Sequence, residues 1–102
     1  MRQFDLYENP AAPMRAGAPF VVVLSSHLLG DLIEAVVAPV RRGDSAGVPG
    51  LEVPVVVDGE TLLVSVSGVA GIRAVALRKR IGSLLTHEDE IRRALDRLFT
   101  GF

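Results

Sequence analysis

The feature that most constrains the fold is one amphipathic helix, which the sequence predicts over residues 86–102, behind a series of short strand-like segments. Thr86 and Asp89 have the spacing of an N-cap residue and its reciprocal partner, and acidic residues crowd the first turn. Apolar residues then recur at three- and four-residue intervals and share one face: Ile91, Ala94, Leu95, Leu98, Phe99 and Phe102. A helix that follows several strands favours an α+β domain, in which the helix packs on a bent antiparallel sheet.

The clearest strand signal before this helix is a hairpin. Residues 51–57 and 61–66 form its arms around Asp58-Gly59, a pair that readily adopts the positive φ angles of a tight turn. Pro54 interrupts the first arm, and proline cannot donate a hydrogen bond to a strand ladder. The sequence therefore predicts a hairpin whose first arm lies at a sheet edge or carries a bulge.

Other segments before the helix differ in how well they specify a strand. Residues 20–25 are apolar on both faces, which is typical of a central strand. Residues 3–7 and 73–77 alternate along the chain and predict two further strands. Between residues 28 and 40, leucine spacing fits a helix, whereas the valine-rich stretch around Pro39 favours a strand. The pattern alone leaves helix and strand open there.

Length and charge bound the class of protein. With 102 residues, we expect one domain over 1–102, with flexible loops at about 8–19 and 41–50. The net charge is −1, which offers no electrostatic basis for direct binding to nucleic acid. The chain has no cysteine, and no apolar run is long enough to span a bilayer. We therefore expect a soluble, cytoplasmic protein.

Two histidines raise the question of catalysis or metal binding. Ser25-Ser26-His27 combines a nucleophile type with a base type, but adjacent residues seldom provide the required geometry. A capping serine beside a surface histidine is the favoured interpretation. His27 and His87 lack a supporting ligand cluster, so the sequence predicts no metal and no cofactor.

A basic run, Arg78-Lys79-Arg80, precedes the predicted helix. Such a run most often forms a solvated edge of a domain. Together with Arg73 it has an alternative role, which is to receive an acidic segment of a partner. The glycine-bounded residues 68–71 are interpreted as a plain turn.

The strongest functional candidate is the C-terminal sequence Phe99-Thr100-Gly101-Phe102. Gly101 is placed to end the helix, and Phe102 is an aromatic anchor of the kind that dominates protein interfaces. Two interpretations stay open. The phenylalanines either pack onto their own sheet or into a homodimer seam, as apolar helix stripes usually do, or they project toward another partner.

Several short motifs follow one another in an order that spans nearly the whole chain. They are QFDLY at 3–7, FVVV at 20–23, SHLL at 26–29, VVAPV at 36–40, LEVPVVV at 51–57, LTHE at 85–88 and FTGF at 99–102. In this order they resemble the CcdB family, whose corresponding motifs include Q-F-x-V-Y, S-D-[IL]-[IL], V-[IV]-P-L, L-x-P-V-V, L-[SA]-H-R and F-W-G-I. Members of that family are toxins of type II toxin–antitoxin modules that poison DNA gyrase.

The resemblance implies a CcdB/MazF-like fold, an SH3-like partial barrel with a C-terminal helix, and it implies a strand at residues 33–40. It also implies a homodimer, a cognate CcdA-like antitoxin whose disordered segment wraps the toxin, and no enzymatic activity. Family members bind the gyrase A subunit through the last helix and a nearby aliphatic pair. The positions carried over are Leu28, Leu29, Asp96, Phe99, Thr100, Gly101 and Phe102.

Two positions depart from the family pattern. Thr100 stands where the best-known members carry a tryptophan, and Asp96 replaces an asparagine. Because an aromatic anchor can supply much of the energy of an interface, these departures leave three hypotheses. The protein is a gyrase poison, a non-toxic or retargeted CcdB-like protein that binds an antitoxin partner, or a MazF-like endoribonuclease. The last requires a convergent set of basic and polar catalytic residues, which the sequence does not reveal.

Overall fold

The computed structural model describes residues 1–25, 34–43 and 50–101, and in these ranges it contains seven strands and one α-helix. Every strand pairing is antiparallel, and the strands follow the order β4-β5-β3-β2-β1-β7, with β6 paired to β3. The elements are β1 (Asp5–Glu8), β2 (Phe20–Val23), β3 (Glu34–Arg42), β4 (Glu52–Val57), β5 (Glu60–Ser65), β6 (Ala70–Arg73), β7 (Arg80–Ser83) and α1 (Glu88–Thr100).

The long strand β3 bends the sheet, because two strands share one of its edges. β6 pairs with residues 34–37 of β3, and β5 pairs with residues 40–42. β2 occupies the opposite edge of β3 and also pairs with β1. The sheet therefore curls into a half-barrel, and α1 lies against β4 and the turn at Val66–Gly68.

Buried residues divide between the two faces of this sheet, because successive strand residues point to opposite sides. The first core lies on the face that α1 covers, and its members include Leu6, Val22, Ala38, Val40, Val55, Leu62, Val64, Ile91 and Ala94. The second core lies on the other face and consists of Tyr7, Val21, Val23, Ala35 and Val37, covered by Ile72, Ala74 and Leu77. A strand with both faces buried must be apolar throughout, which explains the composition of β2.

The hairpin and central-strand predictions are confirmed. Asp58 and Gly59 have φ angles of 50° and 80°, as a tight hairpin turn requires. β4 is the terminal strand of the sheet path, so Pro54 lies in an edge strand. Of the segment left open at 28–40, residues 34–40 lie in the strand β3, and residues 28–33 lie outside the described residues.

One predicted strand is wrong, and one observed strand was not predicted. Of the strand predicted at 73–77, only Arg73 lies in a strand, as the last residue of β6, and Ala74–Ala76 form a single 3₁₀ turn. This turn has three residues per turn, so it directs Ala74 and Leu77 together onto the second core. β7 was not predicted, because its residues carry no clear strand pattern; it pairs with β1 across a register shift.

Two boundaries also differ from the predictions. Arg41 and Arg42 belong to β3 rather than to the loop predicted at 41–50, because both pair with β5. The helix begins at Glu88 and not after Thr86, because Leu85–His87 form a 3₁₀ turn that leads into it. His87, the residue before α1, makes no capping hydrogen bond with its side chain, while the Ser83 hydroxyl accepts a hydrogen bond from the Leu85 N–H at 3.2 Å.

Candidate partner-binding site at the end of α1

The helix α1 is held to the sheet by an apolar stripe. Ile91 and Ala94 are fully buried in the first core, and Leu95 and Leu98 pack partly buried against it. Acidic residues occupy the first turn, where the helix dipole favours negative charge. The predicted amphipathic helix is thus confirmed, and its orientation is set by the core that it covers.

Polar contacts add further attachments along α1. The Arg92 guanidinium lies 5.4 Å from the centre of the Phe4 ring, and its Nη2 donates to Glu88 Oε2 at 3.0 Å. Nearer the C-terminal end, Arg97 Nη1 donates to the Gly50 carbonyl oxygen at 3.2 Å. Because α1 contacts other parts of the chain at Arg92 and at Arg97, the residues that follow Arg97 extend from a helix that is attached at two points.

The last turn of α1 ends at Gly101. Gly101 has a φ angle of 78°, and its N–H donates to the Arg97 carbonyl oxygen at 2.9 Å. A left-handed residue at this position commonly terminates helices, and glycine adopts it without steric cost. The Thr100 hydroxyl donates to the Asp96 carbonyl oxygen at 2.5 Å, so it is engaged within the helix.

Phe99 projects from the molecule. Its side chain is 74% exposed, although the helix that carries it buries Leu98 and Leu95 in part. Packing of Phe99 onto its own sheet is therefore wrong, whereas a homodimer seam and another partner both stay open as locations for the ring. Phe102 lies outside the described residues. An exposed aromatic ring on a firmly held helix is a typical anchor for another protein.

Asp96, Phe99 and Thr100 share one face of α1, because they are three and four residues apart. All three are exposed. Asp96 and Thr100 also line a shallow depression of about 520 Å³, together with Arg93 and Arg97. The site therefore combines one apolar projection with a polar rim of both charge signs, a composition suited to protein binding.

Of the remaining candidate residues, two are described and four are not. Ser25 is structural, since its hydroxyl accepts a hydrogen bond from the Val36 N–H at 2.6 Å and so links the segment after β2 to β3. His87 Nδ1 lies 3.5 Å from Glu90 Oε1. Four other predicted residues lie outside the described residues: Ser26, His27, Leu28 and Leu29.

Arg93 and Arg97 were not predicted as site residues, although they line the depression together with Asp96 and Thr100. Their spacing relative to Asp96 and Thr100 was a usable signal, because residues three, four and seven apart share a helix face. Within residues 1–25, 34–43 and 50–101, no group of three or more His, Asp or Glu residues could hold a metal ion. In the same part of the chain, no helix is both long and apolar enough to cross a membrane.

The fold is shared with toxins of known structure. A Mycobacterium tuberculosis toxin, MazF-mt6, is 26% identical with a TM-score of 0.69, over 78% of this chain and 84% of that one. A second M. tuberculosis toxin is 25% identical with a TM-score of 0.69, over 80% of this chain and 92% of that one. A mycobacterial endoribonuclease, solved with its cognate antitoxin, is 15% identical with a TM-score of 0.72, over 94% and 91% of the two chains.

The class defined by the fold is therefore that of the MazF- and CcdB-like toxins. Within this class, the model of the CcdB protein family matches residues 3–101. The chain belongs to the CcdB family. No curated protein sequence matches it.

Proposed function

We propose that this protein is the toxin of a type II toxin–antitoxin module. In this proposal the end of α1 binds the DNA gyrase A subunit and traps the cleaved gyrase–DNA complex, and the toxin has no enzymatic activity of its own. The observation that carries the proposal is the exposed Phe99 ring on a helix held by the first core. Membership of the CcdB family supports the same target.

An aromatic side chain on an anchored helix suits this role for an energetic reason. Ordering a mobile side chain or loop on binding costs roughly 0.5–1.5 kcal/mol for each rotamer-rich group. Phe99 has few rotatable bonds, and α1 is already anchored at Arg92 and Arg97. Little additional ordering is needed, so more of the contact energy of the ring contributes to binding.

The departures from the family pattern shift the expected contact toward Phe99. Thr100 presents a small side chain whose hydroxyl is bound to the Asp96 carbonyl, so it offers no large apolar surface. Asp96 adds an exposed carboxylate to the same face. We therefore propose that Phe99 supplies the main anchor, with Gly101 and Phe102 beside it and Leu28 and Leu29 as the aliphatic pair.

The direct test compares Phe99→Ala with the wild type in growth, gyrase A binding and cleaved-complex assays. Wild-type expression should arrest growth and accumulate cleaved gyrase–DNA complexes, and Phe99→Ala should weaken gyrase A binding by roughly 30-fold or more, as loss of an anchor residue does. Val56→Ala is the matched control, since Val56 is an exposed apolar residue of β4 that alternates with the buried Val55 and Val57 and so faces away from the first core that α1 covers. Normal growth with no gyrase A binding by the wild type would refute the proposal.

Thr100→Trp tests whether this chain lost toxicity or was retargeted. If gyrase is the target and the contact is only weakened, the added ring should raise both gyrase A affinity and toxicity. If the protein is a CcdB-like protein that binds only an antitoxin partner, the tryptophan variant should gain gyrase binding from an undetectable level. If the wild type and Thr100→Trp bind gyrase A with equal affinity, position 100 is not part of the contact.

We further propose a homodimer in the cytoplasm, neutralised by a cognate antitoxin. A two-fold toxin would offer paired helix ends to a dimeric target and so match its symmetry. Exposed apolar side chains such as Met14 and Val75 are available to an interface. Light scattering should give twice the chain mass, and co-expression of a small neighbouring reading frame should restore growth. A monomer at micromolar concentration would contradict the dimer.

A second candidate function is cleavage of RNA, because the solved structures that share this fold include a MazF toxin at 26% identity. Incubation of the purified protein with single-stranded RNA decides between the two. Cleavage that persists in Phe99→Ala and does not require gyrase would replace the gyrase proposal. Intact RNA together with trapped gyrase would remove the endoribonuclease.

A further inference from the structure

A second concave surface lies far from Phe99 in the chain and uses no residue of α1. It is a cleft of about 370 Å³, formed where the loop after β1 meets the segment before β7. The residues that line it are Glu8, Pro10, Arg15, Ala76, Arg78 and Lys79.

The cleft carries an excess of positive charge. Arg15 Nη2 lies 3.4 Å from Glu8 Oε1, so these two charges compensate each other. Within the part of the chain that the structure describes, the side chains of Arg78 and Lys79 have no ion pair or hydrogen bond. Two exposed cations therefore remain unpaired beside a neutralised pair.

Arg80, the third residue of the basic run, differs from Arg78 and Lys79 because its charge is paired. Arg80 Nη2 lies 3.3 Å from the buried carboxylate of Asp5, so its charge is used within the protein. The Glu8 N–H donates to the Lys79 carbonyl oxygen at 2.9 Å, which holds the backbone of the cleft wall in place. The two unpaired cations thus stand on an ordered backbone, while Pro10 and Ala76 supply an apolar lining.

We propose that this cleft binds an extended acidic segment of a partner protein, whose carboxylates pair with Arg78 and Lys79. Cationic clusters recognise acidic peptide motifs through charge-assisted hydrogen bonds. A peptide fits better than nucleic acid for two reasons. No aromatic side chain lines the cleft for base stacking, and the Glu8 carboxylate would face a phosphate backbone.

This inference does not depend on gyrase binding, because the cleft shares no lining residue with the end of α1. Failure of one proposal therefore leaves the other intact. The basic run in the sequence raised the alternative that this region receives an acidic segment of a partner. The cleft now gives that surface a location: Arg15 lies in it with Arg78 and Lys79, whereas Arg73 and Arg80 do not.

The probe is a short fluorescent peptide of alternating glutamate and glycine, titrated with the purified full chain and followed by anisotropy. The double variant Arg78→Gln with Lys79→Gln should weaken binding roughly tenfold, since each exposed ion pair contributes up to about 1 kcal/mol. Binding should also weaken as salt is added. The control variant, Arg2→Gln with Arg73→Gln, removes the same charge at exposed residues outside the cleft and should change the affinity less than twofold.

Three outcomes would overturn the proposal. One is equal weakening by the cleft variant and the control variant, which would reduce the effect to net charge. Another is equal affinity for a peptide with glutamine in place of glutamate. The third is tighter binding of single-stranded oligouridylate than of the acidic peptide, which would assign the cleft to nucleic acid. Thermal unfolding of each variant verifies that the fold is retained.

Discussion

Two residues of α1 differ in burial and therefore in role: one stabilises the core, and the other is available for binding. Ile91 is fully buried in the first core, whereas Phe99 is 74% exposed eight positions further along the same helix. Removing atoms from a close-packed core costs transfer energy and leaves a cavity, while removing exposed atoms costs neither. The sequence presents both residues as members of one apolar stripe, so only their environments distinguish stability from binding.

The first prediction follows from this contrast. Ile91→Ala should lower the free energy of unfolding by about 2–5 kcal/mol, as large-to-small core substitutions do. Phe99→Ala should change it by no more than about 0.5 kcal/mol, as surface substitutions do. Urea denaturation of the two variants measures both values. A large loss of stability in Phe99→Ala would mean that the ring is buried in solution, against its own subunit or a second copy of the chain.

At the scale of elements, the β4–β5 hairpin depends on two left-handed residues. Gly59 has a φ angle of 80°, which an L-residue with a side chain adopts only at a cost of about 1–2 kcal/mol. Gly17 has no such angle, and a Cβ added there would meet no atom within 4 Å. The two glycines therefore form a matched pair for the same substitution.

The second prediction uses that pair. Gly59→Ala should destabilise the protein by about 1 kcal/mol, because the turn forces the unfavourable angle on alanine. Gly17→Ala should be neutral or stabilise by up to about 1 kcal/mol, because alanine restricts the unfolded chain. Thermal unfolding of both variants under identical conditions gives the comparison. Equal shifts of the same sign would show that the turn relaxes to another type.

Two of the arginine–carboxylate pairs that connect strands of the sheet differ in exposure. Arg41 of β3 binds Glu52 of β4 through two hydrogen bonds of 2.7 Å, and these side chains are 21% and 10% exposed. Arg42 and Glu60 form a single contact of 3.1 Å with side chains 45% and 47% exposed. A sheltered bidentate pair is expected to matter more than a solvated one.

The third prediction compares the carboxylates of these pairs. Glu52→Gln should cost about 1.5–3 kcal/mol, the range for a lost hydrogen bond to a charged group. Glu60→Gln should cost no more than about 1 kcal/mol, the range for an exposed ion pair. Chemical denaturation at low and high salt separates the two, since only the exposed pair should be strongly screened. A smaller effect for Glu52→Gln than for Glu60→Gln would contradict the assignment.

At the scale of the whole molecule, the helix that presents Phe99 also completes the first core. Ile91 and Ala94 are buried among residues from β1 to β5, and α1 contacts both β4 and the turn at Val66–Gly68. A chain of this size has little stability to spare. The helix α1 therefore provides both the proposed binding surface, on its exposed side, and part of the first core, on its buried side.

The fourth prediction is that α1 cannot be removed without loss of the fold. A chain that ends at Leu84 should show no cooperative thermal transition and should bind a hydrophobic dye, because the first core is uncovered. A chain that ends at Thr100 keeps the buried stripe and should unfold cooperatively. Circular dichroism and dye fluorescence measure both. Cooperative unfolding of the shorter chain would show that the sheet is stable alone.

Local signals were sufficient for the hairpin, the central strand and the final helix. Each has a pattern that depends on neighbours along the chain: a turn pair, a run of apolar residues, a helical periodicity. They were insufficient for β7 and for Ala74–Ala76, because these segments owe their conformations to β1 and to the second core. The resemblance to the CcdB family, rather than periodicity, supplied the strand around Pro39.

By itself, the sequence determined the α+β order of elements, the amphipathic helix and the family, because these are encoded in composition and spacing along the chain. The tertiary structure decided that Phe99 is exposed while Ile91 is buried. It also decided that Arg80 is paired with Asp5 while Arg78 and Lys79 face a cleft with Arg15. The physical reason is that burial and charge pairing depend on distances between residues that are remote in sequence, and only folding sets those distances.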